Sequence, residues 1–492
     1  MARAATPRPS AAKPGLVQGH LVQGLGLLDA TALVTGSMIG SGIFIVSSDV
    51  ARLLPSPALI LLTWVLAGAI TVFAAVSYGA LAAAMPQAGG QYVYLRDAYG
   101  PLTGFLYGWT LFLVIQSGTI AAVAVAFARY LDVFVPLSHQ FFSAPVSLGP
   151  LSFQAGLDGK QAVAIATVFG LTWLNTRGIR TGAVVQNMFT AAKLAALGLL
   201  VVAAFTLATG SWDRFLPLWP EGGLARIAAG FAASDQGAHA LALPGADWTG
   251  LALIFGVAMI GPLFAADSWV NVTFTAAEVR NPRRNLPLAL LLGTLLTTLV
   301  YLAVNVAYFY VLSVPEAAGS ERIAAAAAVK MLGATGTYFI SAAIFVSAFG
   351  CLNGLILSGP RVYYAMAKDG LFFPGMAELN TRGAPAMSLF VQGVWASLLV
   401  LSGTYSQLLT YIISAALLFY VLTVASLFVF RRRGTVGSGG GRGYPLAALL
   451  YCLVALGVMA ANLIGDPRSS WPGLLIIALG LPAYLGWRRF LR

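Results

Sequence analysis

The feature that most constrains this chain is the recurrence of apolar runs long enough to cross a bilayer. A spanning helix needs about 20 apolar residues at a rise of about 1.5 Å each. Such runs occupy 27–53, 58–84, 101–131, 161–176, 182–208, 249–277, 286–313, 336–364, 386–402, 405–430, 444–464 and 470–487. Twelve transmembrane helices are therefore expected, in an all-α integral membrane protein. Barrel strands would instead appear as alternating segments of about ten residues. Only 9% of the 492 residues are charged, against roughly 25% in soluble domains. A water-soluble fold has too little charge here to clothe its surface.

Charge sets the expected orientation. With the N-terminus in the cytoplasm, nineteen Lys and Arg residues fall inside and eight outside. That bias predicts a multi-pass membrane protein with both termini cytoplasmic; a cell membrane, the inner membrane of a bacterium, is its expected location. The net charge of +12 then belongs to a cytoplasmic face lying against anionic lipid of the bilayer, and no nucleic acid is needed to account for it. Residues 1–26 read as a cytoplasmic tail, and Gly434 to Gly443 as a flexible linker. The segment from Gly210 to Asp247 is long and predicts a short amphipathic helix near 224–233.

Enzymatic chemistry has little to stand on. His20, His139 and His239 lie outside the apolar runs, and Cys351 and Cys452 lie within them, in no metal-binding or disulfide pattern. No phosphate-binding loop of the G-x-x-x-x-G-K-[ST] type occurs. No catalytic residue, metal or cofactor is expected. Two ions, Lys193 and Asp267, fall inside predicted spans. Ionisable groups in a bilayer are costly and face a cavity or a partner.

The backbone of two spans looks interrupted. The first holds Gly36, Gly40 and Gly42 with Ser37 and Ser41 between them, which predicts either an unwound stretch or close packing through small residues. The sixth has Gly261-Pro262 and then Asp267-Ser268. Pro262 removes a helix donor, and Asp267 suits an N-cap. Breaks at corresponding positions of two five-span halves point to a transporter's midplane site, the halves being inverted. Half-helix N-termini suit a carboxylate, and half-helix C-termini with unwound carbonyls suit an ammonium group. Together they fit a zwitterion such as an α-amino acid.

G-S-M-I-G-S-G-I-F (Gly36 to Phe44), F-A-A-D-S-W (Phe264 to Trp269) with E-V-R-N-P-R-R-N-L-P (Glu278 to Pro287), and F-G-C-L-N-G (Phe349 to Gly354) resemble the amino acid–polyamine–organocation superfamily. The resemblance is closest to the L-type amino acid transporter family and its bacterial relatives. It implies a LeuT-like fold: an inverted five-plus-five repeat over 27–430, with repeats at about 27–208 and 249–430, and two extra C-terminal helices at 444–487. It implies a sodium-independent secondary transporter of L-amino acids, by exchange or proton coupling; polyamines or other organic cations are the rival substrates.

The resemblance also implies a site. The N–H groups of Gly40, Ser41 and Gly42 would take the substrate carboxylate. The carbonyls of Ser37, Met38 or Ile39, and those of Phe264, Ala265, Ala266 and Asp267, would take the amine. Phe264 would gate the site from outside, and the ammonium of Lys193 would stand where related symporters hold sodium, meeting a carbonyl near Gly36–Ser37 and the hydroxyl of Ser347. Eukaryotic members of the branch are disulfide-linked to a heavy chain; no cysteine lies between the third and fourth spans, so no such partner is expected.

Simpler readings stand beside these. Asp267 serves as a plain cap, contacts the substrate, or carries a proton. Phe264 serves as packing, and Arg280, Arg283 and Arg284 anchor the chain at the inner surface. Asn353 and Gly354 mark either close helix packing or a site.

Overall fold

The computed structural model describes residues 21–148, 151–403, 405–436 and 443–490. Most of the tail and of the Gly-rich linker therefore lies outside the described residues. All twelve apolar runs are helical over most of their length, but the first is not one helix. It runs through α1 (Leu27–Met38), a 3-10 turn at Gly42–Phe44, and α2 (Val46–Leu53). Proline at the first position starts α3 (Pro57–Ala84), where the missing N–H is no loss. Gly89 and Gly90, at φ of 101° and 43°, lead into the short α4 (Gln91–Tyr99). The third run is α5 (Pro101–Thr110) and α6 (Gln116–Leu131), joined by a wide π-type turn at Leu111–Ile115.

One departure from the all-α expectation follows. Strands β1 (Gln140–Leu148) and β2 (Leu151–Asp158) pair antiparallel. The sequence VSLGPLSF alternates apolar and polar residues about Gly-Pro, the signature of a hairpin that the longer apolar runs overshadow. Next come α7 (Gly159–Thr176), α8 (Ile179–Thr206), α9 (Gly223–Ala232) and α10 (Asp235–His239). The expected amphipathic helix is α9, which buries Ile227 and Phe231. The sixth run is α11 (Trp248–Ala258), α12 (Ile260–Ala265) and α13 (Asn271–Phe274). The chain continues through α14 (Pro282–Val311), α15 (Val314–Gly319), α16 (Ile323–Leu332), α17 (Ala334–Ser358), α18 (Pro360–Lys368) and α19 (Ala386–Leu401). It closes with α20 (Tyr405–Arg432), α21 (Gly443–Gly465) and α22 (Pro467–Phe490).

Among the described residues, nine helical stretches are long and apolar enough to cross a membrane. Their packing is inside-out by the standards of a soluble protein. On α8, Val184, Met188, Leu199 and Val202 point outward, while Gln186 and Lys193 are buried. Hydrocarbon solvates the first group at no cost, whereas a buried polar group must find partners inside. The α5–α6 stretch has 83% of its most apolar window buried, against 22% for the last helix. The third apolar run is thus central and the last one peripheral.

The end of the sixth run nearest α14 is tied down twice. The Leu25 N–H donates to the Glu278 carbonyl at 3.0 Å, and the Arg280 N–H donates to the Leu25 carbonyl at 2.8 Å. The Glu278 carboxylate accepts two bonds from Arg361 on α18, at 2.7 and 3.0 Å, and both side chains are only 1% exposed. Arg361 also donates to the Leu357 carbonyl.

Candidate functional site

Ending α1 at Met38 frees the last carbonyls of the helix, and the structure supplies a donor for each. Lys193 Nζ, fully buried on α8, donates to the carbonyls of Gly36 (2.8 Å), Ile39 (2.7 Å) and Ser347 (2.9 Å). The Ser347 hydroxyl shares its hydrogen between the Ile39 and Gly40 carbonyls, at 3.0 and 3.1 Å. The expected contact between Lys193 and the Ser347 hydroxyl is therefore corrected: the ammonium meets the Ser347 carbonyl. The hydroxyl serves the loop as donor, while the carbonyl of the same residue takes the ammonium. The Ser37 carbonyl accepts the Cys351 thiol at 3.1 Å.

Tyr301 on α14 completes the set. Its hydroxyl lies 3.0 Å from the Met38 carbonyl and 2.8 Å from the Ala265 carbonyl, so one buried side chain bridges the C-terminal ends of both broken helices. Sequence reasoning missed it, since one tyrosine of 18 in an apolar run carries no distinguishing signal. Tyr301→Phe is expected to lower stability by about 1–3 kcal/mol, the usual cost of an unpaired buried acceptor. Wild-type thermal stability in that variant would refute the bridge.

The glycines of the first run divide their tasks. A Cβ at Gly36 would sit 2.2 Å from Gln186 Nε2 and Thr190 Oγ1 of α8, so this glycine serves close packing. Gly40 and Gly42 lie in the interrupted stretch, and a Cβ at Gly42 would sit 2.8 Å from the Ala265 Cβ. The two broken segments approach each other because Gly42 has no side chain. Both sequence readings hold, for different residues.

The sixth run bends twice. Pro262 cannot donate to the Ala258 carbonyl, and α11 ends there. The interruption proper comes later, at Ala266–Val270, where Ser268 adopts φ of 71°. Asp267 does not cap α13: the capping position is Val270, with no side-chain hydrogen bond. Asp267 Oδ1 instead accepts from the Tyr420 hydroxyl of α20.

Ser37, Met38, Gly40, Ser41 and Gly42 meet Phe264, Ala265 and Asp267 around one cavity of about 30 Å³, closed on its remaining side by Thr119, Val123, Ser268 and Cys351. Ile39 and Ala266 are not on its wall; the Ile39 carbonyl faces Lys193 and Ser347. Among the described residues the N–H groups of Ser41 and Gly42 find no acceptor, and the carbonyls of Ala266 and Asp267 receive no donor. On the cavity wall, unpaired donors thus come from the first interruption and an unpaired acceptor, the Asp267 carbonyl, from the second. The cavity has room for water rather than an amino acid, so a guest of that size requires the walls to part.

Other singled-out residues fall outside this cavity. Asn353 donates to the Gly182 carbonyl (3.1 Å) and Gln186 Oε1 (2.8 Å), and a Cβ at Gly354 would meet Ser37 Oγ at 2.3 Å, so both serve packing. Arg280 donates to the Gly24 carbonyl at 3.1 Å, while Arg283 and Arg284 are exposed. Among the described residues no group of three His, Cys, Asp or Glu is placed to hold a metal ion.

Comparison with known proteins gives concordant results. Residues 25–483 match the family described as amino acid permease. The chain is 29% identical to the serine/threonine exchanger SteT of Bacillus subtilis (strain 168), over 94% of this chain and 97% of that protein. It is 27% identical to the b(0,+)-type amino acid transporter 1 of Homo sapiens, over 83% of this chain and 76% of that one. It is 29% identical to the large neutral amino acids transporter small subunit 2 of Homo sapiens, over 94% and 79% respectively.

Proposed function

Since the chain belongs to the amino acid permease family, within the amino acid–polyamine–organocation superfamily, we propose that it is a sodium-independent secondary transporter of L-amino acids. The observation that carries this reading is the pairing of free groups across the cavity. The Ser41 and Gly42 N–H groups stand on one interruption and the Asp267 carbonyl on the other. A zwitterion satisfies both sets at once, with its carboxylate on the first and its ammonium on the second. Phe264, on the same cavity wall, closes over the substrate from outside.

The protein works by alternating access. Its ten-helix core comprises inverted repeats at about 27–208 and 249–430, followed by two accessory helices at 444–487, making twelve spans with both termini cytoplasmic in the cell membrane. The interruptions in the first and sixth spans and the positive-inside bias favour this arrangement. Sodium independence follows from Lys193, whose ammonium fills a cage of three carbonyls that would otherwise suit a monovalent cation. Exchange is favoured over proton symport by the similarity to a serine/threonine exchanger. Cys351 and Cys452 both lie in helices rather than in an outer loop, and the protein functions without a disulfide-linked heavy chain.

The Asp267 carboxylate on the cavity wall supports a second substrate class, organic cations such as polyamines. A competition uptake panel in proteoliposomes tests both. Saturable uptake of amino acids, unchanged when choline replaces sodium and accelerated by internal amino acid, is the expected result. Strict sodium dependence would overturn the assignment of Lys193, and preferential uptake of a polyamine would overturn the substrate class. Asp267→Asn keeps the bond to Tyr420 but removes the charge. It should leave neutral amino acid uptake largely intact and abolish any uptake of cations.

A further inference from the structure

A second cavity, of about 10 Å³, adjoins the first and shares Thr119, Asp267 and Ser268 with it. Its wall includes Gln91, the first residue of α4, and Asn271, the first residue of α13. Gln91 is completely buried. Among the described residues neither its amide nitrogen nor its amide oxygen has a hydrogen-bond partner, and Asn271 Nδ2 has none either. A buried amide with both ends unpaired calls for an explanation, because the large majority of buried side-chain polar groups in native structures find a partner.

The backbone holds Gln91 there. The Gly89 N–H donates to the Phe274 carbonyl at 3.0 Å, and a Cβ at Gly90 would strike Thr273 Oγ1 at 2.3 Å. The left-handed Gly-Gly turn thus presses the start of α4 against α13. Tyr94 and Val93 on the same helix are buried, so the turn cannot swing Gln91 outward without exposing them.

We propose that this second chamber receives the substrate's side chain and favours side chains bearing an amide or hydroxyl over hydrocarbon side chains of the same size. The inference rests on the amino acid transport reading. With the zwitterion held between the two interruptions, the side chain passes Asp267 and Ser268, the residues the two cavities share, and reaches Gln91 and Asn271. A hydroxyl or amide pairs them, whereas a methyl leaves them buried and unpaired. Sites built to hydrogen-bond a ligand reject the analogue lacking that group far more strongly than apolar pockets reject an added one. The chamber holds about one water in this conformation, so it enlarges together with the first cavity when a substrate enters.

The test uses the full chain in proteoliposomes and two pairs of near-isosteric substrates, threonine against valine and asparagine against leucine. The wild type should favour the polar member of each pair by about tenfold or more in kcat/KM. Gln91→Met, close to glutamine in volume, should cut that preference to within about twofold, mainly by raising KM for the polar substrates. If Gln91→Met does not fold, Asn271→Leu provides the same readout from the other wall. Wild-type uptake that ignores the difference within each pair, or variants that keep the wild-type ratio, would overturn the chamber's role. Failure to take up any amino acid would instead count against the transport reading itself.

Discussion

Lys193→Ala is expected to reduce amino acid uptake by about 100-fold, the equivalent of losing its two bonds to the first span at roughly 1.4 kcal/mol each. The ammonium donates three bonds, to the carbonyls of Gly36, Ile39 and Ser347. Two of these belong to the interrupted first span, the third to α17. Its removal therefore unties the cavity's wall from the neighbouring helix and leaves acceptors unpaired where no water reaches them. Lys193→Arg should not restore uptake, because a planar guanidinium cannot point at three carbonyls converging on a single atom. High sodium added to Lys193→Ala supplies a diagnostic. Partial recovery means that the charge in the cage is what matters; a fixed charge also predicts wild-type uptake indifferent to an imposed pH gradient. Undiminished uptake by a well-folded Lys193→Ala protein would remove the residue from the mechanism.

Glu278→Gln and Arg361→Met, made singly, should each destabilise the protein by about 3–5 kcal/mol, since each leaves its partner ionised or unpaired in a dry interior. The two side chains exchange a bidentate contact at 2.7 and 3.0 Å with almost no exposure. The double variant Glu278→Gln/Arg361→Met should recover much of the loss, because the cost lies in the orphaned charge rather than in the missing attraction. Thermal unfolding of the detergent-solubilised protein measures this directly. Single variants as stable as the wild type would mean that water or another donor already reaches the pair. The pair fastens the end of the sixth run to α18, so uptake should follow stability across the three variants.

Much of the candidate site was legible before any fold was known. Glycine in the first run and proline in the sixth mark backbone that cannot continue as helix, and both runs are interrupted. The position of the second interruption was less legible. Pro262 only bends the helix, and the break at Ala266–Val270 depends on a left-handed Ser268, a conformation that serine does not advertise. Asp267 illustrates the same limit. As an isolated side chain near a break it suits a cap, yet the Tyr420 hydroxyl captures it. The hairpin at 140–158 was lost for the opposite reason: its alternation is plain but short beside runs of more than 20 residues.

The sequence by itself determined the solvent, the helical class, which two runs are interrupted and the two ions that had to find shelter. These depend on hydropathy and backbone chemistry, which act within a few residues along the chain. Only the tertiary structure decided which group meets which. Besides Lys193, the side chains that satisfy the freed carbonyls of the first run come from 263 to 314 positions away, from tyrosine, serine and cysteine residues that hydropathy and backbone chemistry do not distinguish from their neighbours. Low dielectric obliges every buried polar atom to find a partner, but it leaves the choice of partner to the packing of helices far apart in the chain.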